Sequence, residues 1–200
     1  LLPGQSIIST LVGTDWIFPG DGKPAVEAPL GRIVSVAVDR EGRVVFPDQN
    51  NNMVMRVEQD GSIRVIAGNG LATYSGDGEL ATNASLWQPS GLAFDSSGNL
   101  YIADTFNHRV RRVSPDGIIT TVAGTGECGF SGDNGRGVDA RLCLPYTMAV
   151  DRSGTLFIGP AGAGAGMAHS RSCGYRSMGH PGARSRGEPT RDAACRSGVP

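Results

Sequence analysis

Short runs of alternating apolar and polar residues, separated by turns that contain Gly and Asp, recur along the chain. In its middle part four such runs follow one another, at residues 91–95, 99–103, 109–113 and 118–122. The first two flank Asp95-Ser96-Ser97-Gly98, where Asp in first and Gly in fourth position favours a type I turn and hence a hairpin. A second turn, Ser114-Pro115-Asp116-Gly117, precedes the last run. The pattern predicts one four-stranded antiparallel sheet.

The same pattern returns with a period of 56 residues. Gly-Asp pairs begin at Gly20, Gly76 and Gly132, which are 56 residues apart each time. The same offset relates further residues, namely Asp39, Asp95 and Asp151, Asp48 and Asp104, Asn51 and Asn107, and Arg56 and Arg112. Because one register holds through so many Gly, Asp and Asn positions, we interpret the segment as an internal repeat, which decides the fold class.

A single sheet of this kind cannot bury both of its faces. Stacking sheets around an axis covers them, as in a β-propeller of about 4–8 blades. The alternative is a continuous β-solenoid, whose coils are generally shorter than this unit. Gly91 and Ala93 fit an innermost strand, where blades crowd near the axis. We therefore expect an all-β chain that forms a partial β-propeller of four-stranded antiparallel blades.

The middle unit also resembles a known family, the NHL repeat. The resemblance rests on Gly91-Leu92-Ala93-Phe94-Asp95, on residues 98–104 and on Asn107-His108-Arg109-Val110. Residues 36–54 are a weaker copy. The long unit is similar to NHL propellers of bacterial extracytoplasmic proteins. The resemblance covers about residues 5–158 and implies a platform for proteins, RNA or other ligands, although fold alone does not assign chemistry.

The repeat predicts about two and a half blades and a tail. The expected parts are an outer strand of a preceding blade at 5–14, blades at 20–70 and 76–126, and a half blade at 132–158. Residues 159–200 are rich in Gly, Ala, Arg, Ser and Pro, a composition that predicts disorder. This tail is either a natural low-complexity segment or an out-of-frame translation. We expect a fragment of a larger protein, with exposed blade edges that favour self-association.

Charge and hydropathy argue against two classes of partner. The chain has a formal net charge of −1 and 18% charged residues, so it lacks the basic surface that nucleic acids require. Most of its excess Arg lies in the tail. No apolar run approaches the length of a membrane-spanning helix. We expect neither nucleic-acid binding nor a membrane span.

The repeated acidic residues are the first candidates for a functional site. Hydrogen bonding to the backbone in D-x-x-G turns explains Asp39, Asp95 and Asp151 as structural residues. A second set lies in the Gly-rich loop between blades and recurs on one rim, namely Asp21, Asp77 and Asp133. Carboxylates gathered in this way suit Ca²⁺, and ordinary turn chemistry is the alternative. We expect no other cofactor.

Further candidates lie in the second unit. Asp104, Asn107 and Arg109 occupy NHL repeat positions, and we interpret them as structural. His108 has no counterpart in the first unit and fits a surface or hydrogen-bonded role better than a catalytic one.

Two cysteines stand at the ends of one loop in the third unit. Cys128 and Cys143 occupy the positions where the second unit has Ala72 and Trp87. Their joint appearance predicts a disulfide, which implies an oxidising compartment; two unrelated buried thiols are the alternative. We therefore expect an extracytoplasmic or secreted location.

These observations favour a non-catalytic scaffold for a protein or small-molecule ligand. Its surface would be the loops around Trp16-Ile17-Phe18, Tyr74 and Phe130, although these aromatic residues also fit an apolar plug between blades. The alternative is a metal-dependent enzyme of the gluconolactonase or streptogramin-lyase type, which the fold resemblance implies. Such enzymes need polar residues that differ between blades, whereas the candidates here repeat. We therefore predict no catalytic residue.

Overall fold

The computed structural model describes residues 18–161 and the backbone of 173–175, which form three antiparallel sheets. Blade 1 contains β1 (Ala37–Val38), β2 (Val44–Asp48), β3 (Met53–Val57) and β4 (Ile63–Ala67). Blade 2 contains β5 (Pro89–Phe94), β6 (Leu100–Asp104), β7 (Arg109–Val113) and β8 (Ile119–Ala123). Blade 3 contains β9 (Pro145–Val150), β10 (Leu156–Pro160) and β11 (Cys173–Tyr175). Each strand pairs with the next along the chain, so the predicted all-β architecture is confirmed.

The first strands of the three blades lie side by side, as expected around a propeller axis. Ser35 Oγ, in the segment that leads into β1, donates a hydrogen bond to the Ser90 carbonyl oxygen of β5 at 2.5 Å. Ser90 Oγ in turn donates to the Tyr146 carbonyl oxygen of β9 at 3.0 Å. A Cβ atom at Gly91 would overlap that same carbonyl oxygen. The crowding that a Gly in the innermost strand predicts is therefore present.

A segment that precedes each full blade covers the outer strand of that blade. In blade 1, Gly22 N–H donates to the Ile63 carbonyl oxygen at 2.7 Å, and Ile63 N–H donates to Lys23 at 2.9 Å. In blade 2, Gly78 N–H donates to the Ile119 carbonyl oxygen at 2.8 Å. These bonds pair an edge that would otherwise present free backbone groups.

The apolar core lies between and within the sheets. Val45, Leu86 and Ile102 belong to a buried cluster that joins blades 1 and 2. Tyr101 and Leu156 belong to another cluster, which joins blades 2 and 3. Burial of apolar area between sheets is thus the main contact that holds neighbouring blades together.

Apolar side chains are exposed on both terminal blades of the described row. Val36 and Val38 are 61% and 58% exposed at blade 1, and Phe157 is 46% exposed at blade 3. Leu92, which stands at the repeat position of Val36, is buried at 8% exposure. Self-association through such faces stays a prediction.

Parts of the predicted termini lie outside the described residues. These parts are the strand expected at 5–14 and the tail apart from 159–161 and 173–175. Within the tail, β10 continues to Pro160, and the backbone of β11 pairs antiparallel with β10, Leu156 opposite Tyr175. The Gly-rich composition did not predict this strand. No helix in the described part of the chain is long and apolar enough to cross a membrane.

Candidate functional site

A repeated pair of Asp and Asn anchors the linker that enters each blade. In blade 1, Asp48 accepts hydrogen bonds from Gly31 N–H at 2.7 Å and from Asn51 Nδ2 at 2.8 Å. In blade 2, Asp104 accepts from Trp87 N–H at 2.8 Å and from Asn107 Nδ2 at 2.9 Å. Both carboxylates are fully buried. Each pair fastens the chain before the innermost strand to the end of the second strand.

The aspartates of the D-x-x-G turns bond to their own turns. Asp39, Asp95 and Asp151 each accept two backbone N–H groups, from residues two and four positions later, at 2.8–3.0 Å. Partial burial raises the pKa of Asp95, but hydrogen bonds from Asn99 and Ser97 outweigh it and hold this pKa below its usual value. These carboxylates therefore stabilise the turns of their own hairpins.

The aspartates of the Gly-Asp loops bond to an outer strand. Asp21 Oδ1 accepts Val65 N–H at 2.9 Å, and Asp77 Oδ2 accepts Thr121 N–H at 3.0 Å, which is the same position in the next blade. Asp133 opens the corresponding loop of the third unit. Among residues 18–161, no group of three or more His, Cys, Asp or Glu side chains is placed to hold a metal ion. Calcium binding at these positions stays a prediction.

The sequence reading missed a buried arginine in blade 2. Arg111 is fully buried, with Nη2 2.8 Å from Asp77 Oδ1 and Nη1 3.4 Å from Asp104 Oδ2. Nη2 also donates to the Ser75 carbonyl oxygen at 2.9 Å. The equivalent residue of blade 1 is Met55, which is fully buried too. The signal of Arg111 in the sequence is a cation at a repeat position that is apolar in blade 1.

The two carboxylates beside Arg111 differ in their electrostatics. Burial raises the pKa of Asp104 to about 6, and the N–H donors of Trp87, Asn107 and Arg111 oppose that rise, so Asp104 is ionised at neutral pH. Burial also raises the pKa of Asp77, but the bonds from Thr121, Arg111 and Tyr74 outweigh it and hold this pKa below its usual value. Arg111 therefore bridges two anions.

The aromatic residues before the Gly-Asp loops differ between units. Phe18 is 2% exposed and shares a cluster with Met55, so it acts as an apolar plug. Tyr74 is 38% exposed, and the guanidinium carbons of Arg109 and Arg111 lie 4.1 and 4.8 Å from its ring centroid. Phe130 is 67% exposed. The other two residues proposed for this surface, 16 and 17, lie outside the described residues.

Arg109 has a structural role besides its contact with Tyr74. Its Nη1 donates to the Gly124 carbonyl oxygen at 2.9 Å, and its Nη2 donates to Thr125 at 2.5 Å. The side chain thus fixes the chain that leaves β8.

His108 links two blades. Its Nδ1 accepts Leu144 N–H at 3.2 Å, just before β9. Asn52 stands at the same repeat position, and its Oδ1 accepts Gln88 N–H at 2.9 Å, just before β5. Burial lowers the pKa of His108, which favours the neutral ring that this bond requires. His108 is therefore an inter-blade link.

Beside the His108 link, Cys128 and Cys143 are joined by a disulfide. They are 15 residues apart in sequence, and the bond closes the loop that runs from blade 2 to blade 3. Ala72 and Trp87, at the equivalent positions, leave the corresponding space between blades 1 and 2 open.

That space is a cavity of about 370 Å³, here called the junction cavity. Its lining comes from the linkers before β1 and β5 and from the loop between β2 and β3. The lining residues are Arg32, Gln49, Asn50, Asn52, Ala72, Trp87 and Gln88. The internal repeat does not predict this cavity, because its lining depends on residues that differ between units.

Several polar groups of the junction cavity have no partner in the described part of the chain. Gln49 is 6% exposed, and its side-chain amide makes no hydrogen bond to any described residue. The same holds for the side-chain amide of Gln88 and the guanidinium of Arg32. The described side-chain atoms that are both buried and without a partner are Arg112 Nε and Thr120 Oγ1, so the Gln49 amide is not fully buried and is available to a molecule in the cavity.

Two stacked aromatic rings lie at the cavity. Trp87 lines it, and its ring stacks on Phe106 with centroids 5.6 Å apart and planes inclined by 29°. Trp87 is 40% exposed and Phe106 is 42% exposed. An accessible indole therefore stands next to unpartnered amides.

Comparisons with known proteins agree with this architecture. The model of the Teneurin NHL domain matches residues 71–130. Teneurin-4 of Homo sapiens is 30% identical over 133 residues, which are 56% of this chain and 5% of that protein. A solved Bacteroides thetaiotaomicron protein of unknown function is 30% identical, with a TM-score of 0.55, over 60% of this chain and 30% of that chain.

A second solved structure shows the same fold. It is an auxiliary nutrient binding protein of Bacteroides thetaiotaomicron, 23% identical with a TM-score of 0.52, and the match covers 62% of this chain and 33% of that chain. The chain thus spans about a third of each of these structures and a small part of Teneurin-4.

Sequentially paired antiparallel strands, with the first strands adjacent, define the described residues as part of a β-propeller. The repeat residues of blade 2 and the Teneurin NHL match over the same region identify these blades as NHL-type repeats.

Proposed function

We propose that the chain is a binding module without catalytic activity of its own, and that the junction cavity is its binding site. The observation that carries this proposal is a set of polar side chains in the cavity, Gln49, Gln88 and Arg32, that bond to no described residue and share the cavity with the exposed ring of Trp87. A ligand in the cavity can bond to these side chains and stack on that ring.

The geometry of the repeated polar residues supports binding over catalysis. Asp48, Asp104 and His108 each accept a backbone N–H from a linker and so serve the scaffold. A general acid or base must lie within hydrogen-bonding reach of a proton of the substrate, whereas these three side chains bond to the backbone of the linkers. The lactonase or lyase alternative has no comparable support from the described residues.

The disulfide supports an extracytoplasmic or secreted location, because disulfides persist in oxidising compartments. The short share of Teneurin-4 that the chain matches supports a place within a larger protein. The partner would be a small molecule, or a short segment of a protein, that fits the junction cavity.

The proposal can be tested through Trp87 itself. The chain contains two tryptophans, so in a Trp16→Phe background Trp87 is the sole indole. A panel of disaccharides, free amino acids and tripeptides would be titrated against this protein, with Trp87 fluorescence as the readout. The recovered panel compounds would then be analysed by mass spectrometry.

At least one compound is expected to shift the emission and to be recovered unchanged. The additional change Gln49→Leu should weaken binding, whereas Gln59→Leu, at an exposed turn, should leave it unchanged. A panel that leaves Trp87 fluorescence unaltered, or a compound that the protein converts chemically, would refute the proposal.

A further inference from the structure

We infer that the ligand class of the junction cavity is a saccharide, held by hydrogen bonds to amide side chains and by stacking of one sugar face on Trp87. This inference rests on the proposed function, since it names what the same cavity binds.

The polar lining matches hydroxyl groups. Gln49, Asn50 and Gln88 each present an amide, which offers two N–H donors and one carbonyl acceptor. Asn50 Oδ1 accepts a hydrogen bond from Arg32 N–H at 2.9 Å, but Asn50 Nδ2 bonds to no described residue. A sugar hydroxyl both donates and accepts, so neighbouring hydroxyls can satisfy such amides in either orientation.

The charge of the lining argues against cationic ligands. Among the described residues, no carboxylate lines the cavity, and Arg32 is the one charged lining residue. A metal ion or an ammonium group would meet a guanidinium and no anion. A neutral or acidic saccharide meets no such penalty, because the Arg32 guanidinium donates to hydroxyl or carboxylate oxygens.

Trp87 supplies the apolar part of the site. Indole combines a large apolar face with one N–H donor. One side of the Trp87 ring packs on Phe106, which restrains its orientation. The C–H face of a pyranose ring is flat and apolar, so it fits an exposed indole while its hydroxyls point to the amides.

Size and polarity disfavour a protein segment. Small-molecule sites typically measure about 300–1,000 Å³, and the cavity of about 370 Å³ falls at the lower end. Protein interfaces take most of their binding energy from large side chains in well-packed, desolvated pockets. Of the described residues that line the cavity only Ala72 and Trp87 are apolar, so they form no such pocket for an apolar anchor.

The equivalent junction of blades 2 and 3 lacks these amide side chains and the indole. The repeat positions of Gln49, Asn50 and Gln88 carry Thr105, Phe106 and Leu144 there. The positions of Ala72 and Trp87 carry the disulfide. Saccharide binding should therefore belong to the first junction only.

The test uses the full chain with Trp16→Phe and six probes: maltose, cellobiose, xylobiose, chitobiose, triglycine and Gly-Asp-Gly. Fluorescence of Trp87 and isothermal calorimetry give the affinities. At least one disaccharide is expected to bind, and neither tripeptide. Gln49→Leu should weaken that binding about tenfold, which corresponds to one lost hydrogen bond. Trp87→Ala should weaken it at least as much by calorimetry.

Two matched variants control for general damage. Gln59→Leu removes an exposed amide, and Phe130→Ala removes an exposed aromatic ring of the third unit; both should bind like the parent. Circular dichroism and urea unfolding establish that each variant is folded.

The outcomes separate the two proposals. Disaccharide binding that depends on Gln49 and Trp87 supports both. Binding of a tripeptide but of no disaccharide overturns the saccharide inference and leaves the binding site in place. Disaccharide binding that Gln49→Leu and Trp87→Ala leave unaltered overturns the assigned site. No binding of any probe overturns the inference, and only the wider panel with amino acids then decides the proposed function.

Discussion

The two junctions between neighbouring blades use the same repeat positions in opposite ways. Between blades 1 and 2, Ala72 and Trp87 leave a polar cavity. Between blades 2 and 3, Cys128 and Cys143 close the same place with a covalent bond. Both junctions keep one link, in which the side chain of Asn52 or His108 accepts a backbone N–H before the next inner strand. The repeat thus preserves the attachment of blades, and a pair of variable positions decides whether a cavity exists.

A second contrast lies inside the blades. Phe18 and Met55 form an apolar contact in blade 1, whereas Tyr74 and Arg111 occupy the same positions in blade 2. The two positions change together, from an apolar pair to a polar one. Arg111 also bonds to the Ser75 carbonyl oxygen, so it fastens the linker that leads towards the junction cavity.

The largest effect on stability is expected when Arg111 of blade 2 is replaced by Met, the residue at the equivalent position of blade 1. Arg111→Met leaves the buried Asp104 without its cation, and breaking a buried ion pair costs about 4 kcal/mol. Urea unfolding of the full chain measures this free energy. Arg112→Met, one residue further on the same strand, is the matched control and should change stability by less than about 1 kcal/mol. An equally small effect of Arg111→Met would show that the pair gives no net stabilisation.

The next effect concerns the closed junction. Cys128→Ser with Cys143→Ser releases a loop of 15 residues, for which the chain-entropy model gives a loss of about 3 kcal/mol. Urea unfolding without reductant is the measurement. The single change Cys195→Ser, in the tail, serves as the control and should be neutral. Equal stability of this control and the double variant would contradict a role of the disulfide in holding blade 3.

Asp104 predicts a dependence of stability on pH. Its pKa in the folded chain is about 6, above the value of about 4 expected when unfolded. Between these values the folded state binds more protons, so the contribution of Asp104 to stability falls as pH rises. Relative to Asp104→Asn, the parent should lose about 2 kcal/mol from pH 4 to pH 7. A constant difference between the two proteins across that range would mean that the pKa of Asp104 is not raised.

The sequence predicted the features that the repeat units share, and it also predicted one feature that differs between the units. Turn residues such as Asp95 and Gly98 predicted the hairpins, and the spacing predicted sheets with adjacent inner strands. The pairing of Cys128 with Cys143 followed from their joint absence in the second unit. Arg111 was missed because attention to repeated positions passes over a single charged residue at an apolar one. The junction cavity brings together Gln49 and Trp87, which both line it and lie far apart in sequence.

The smallest effect tests whether the two junctions are variants of one attachment. His108→Asn places the residue of the first junction in the second, and its Oδ1 should accept Leu144 N–H as Asn52 accepts Gln88 N–H. Stability should then change by less than about 0.5 kcal/mol, whereas His108→Ala should cost about 1 kcal/mol because the N–H loses its acceptor. Hydrogen exchange of the Leu144 amide, alongside urea unfolding, measures the link directly. If His108→Asn exposes this amide as much as His108→Ala does, the two side chains are not interchangeable, and the open and closed junctions differ in their attachment as well as in their filling.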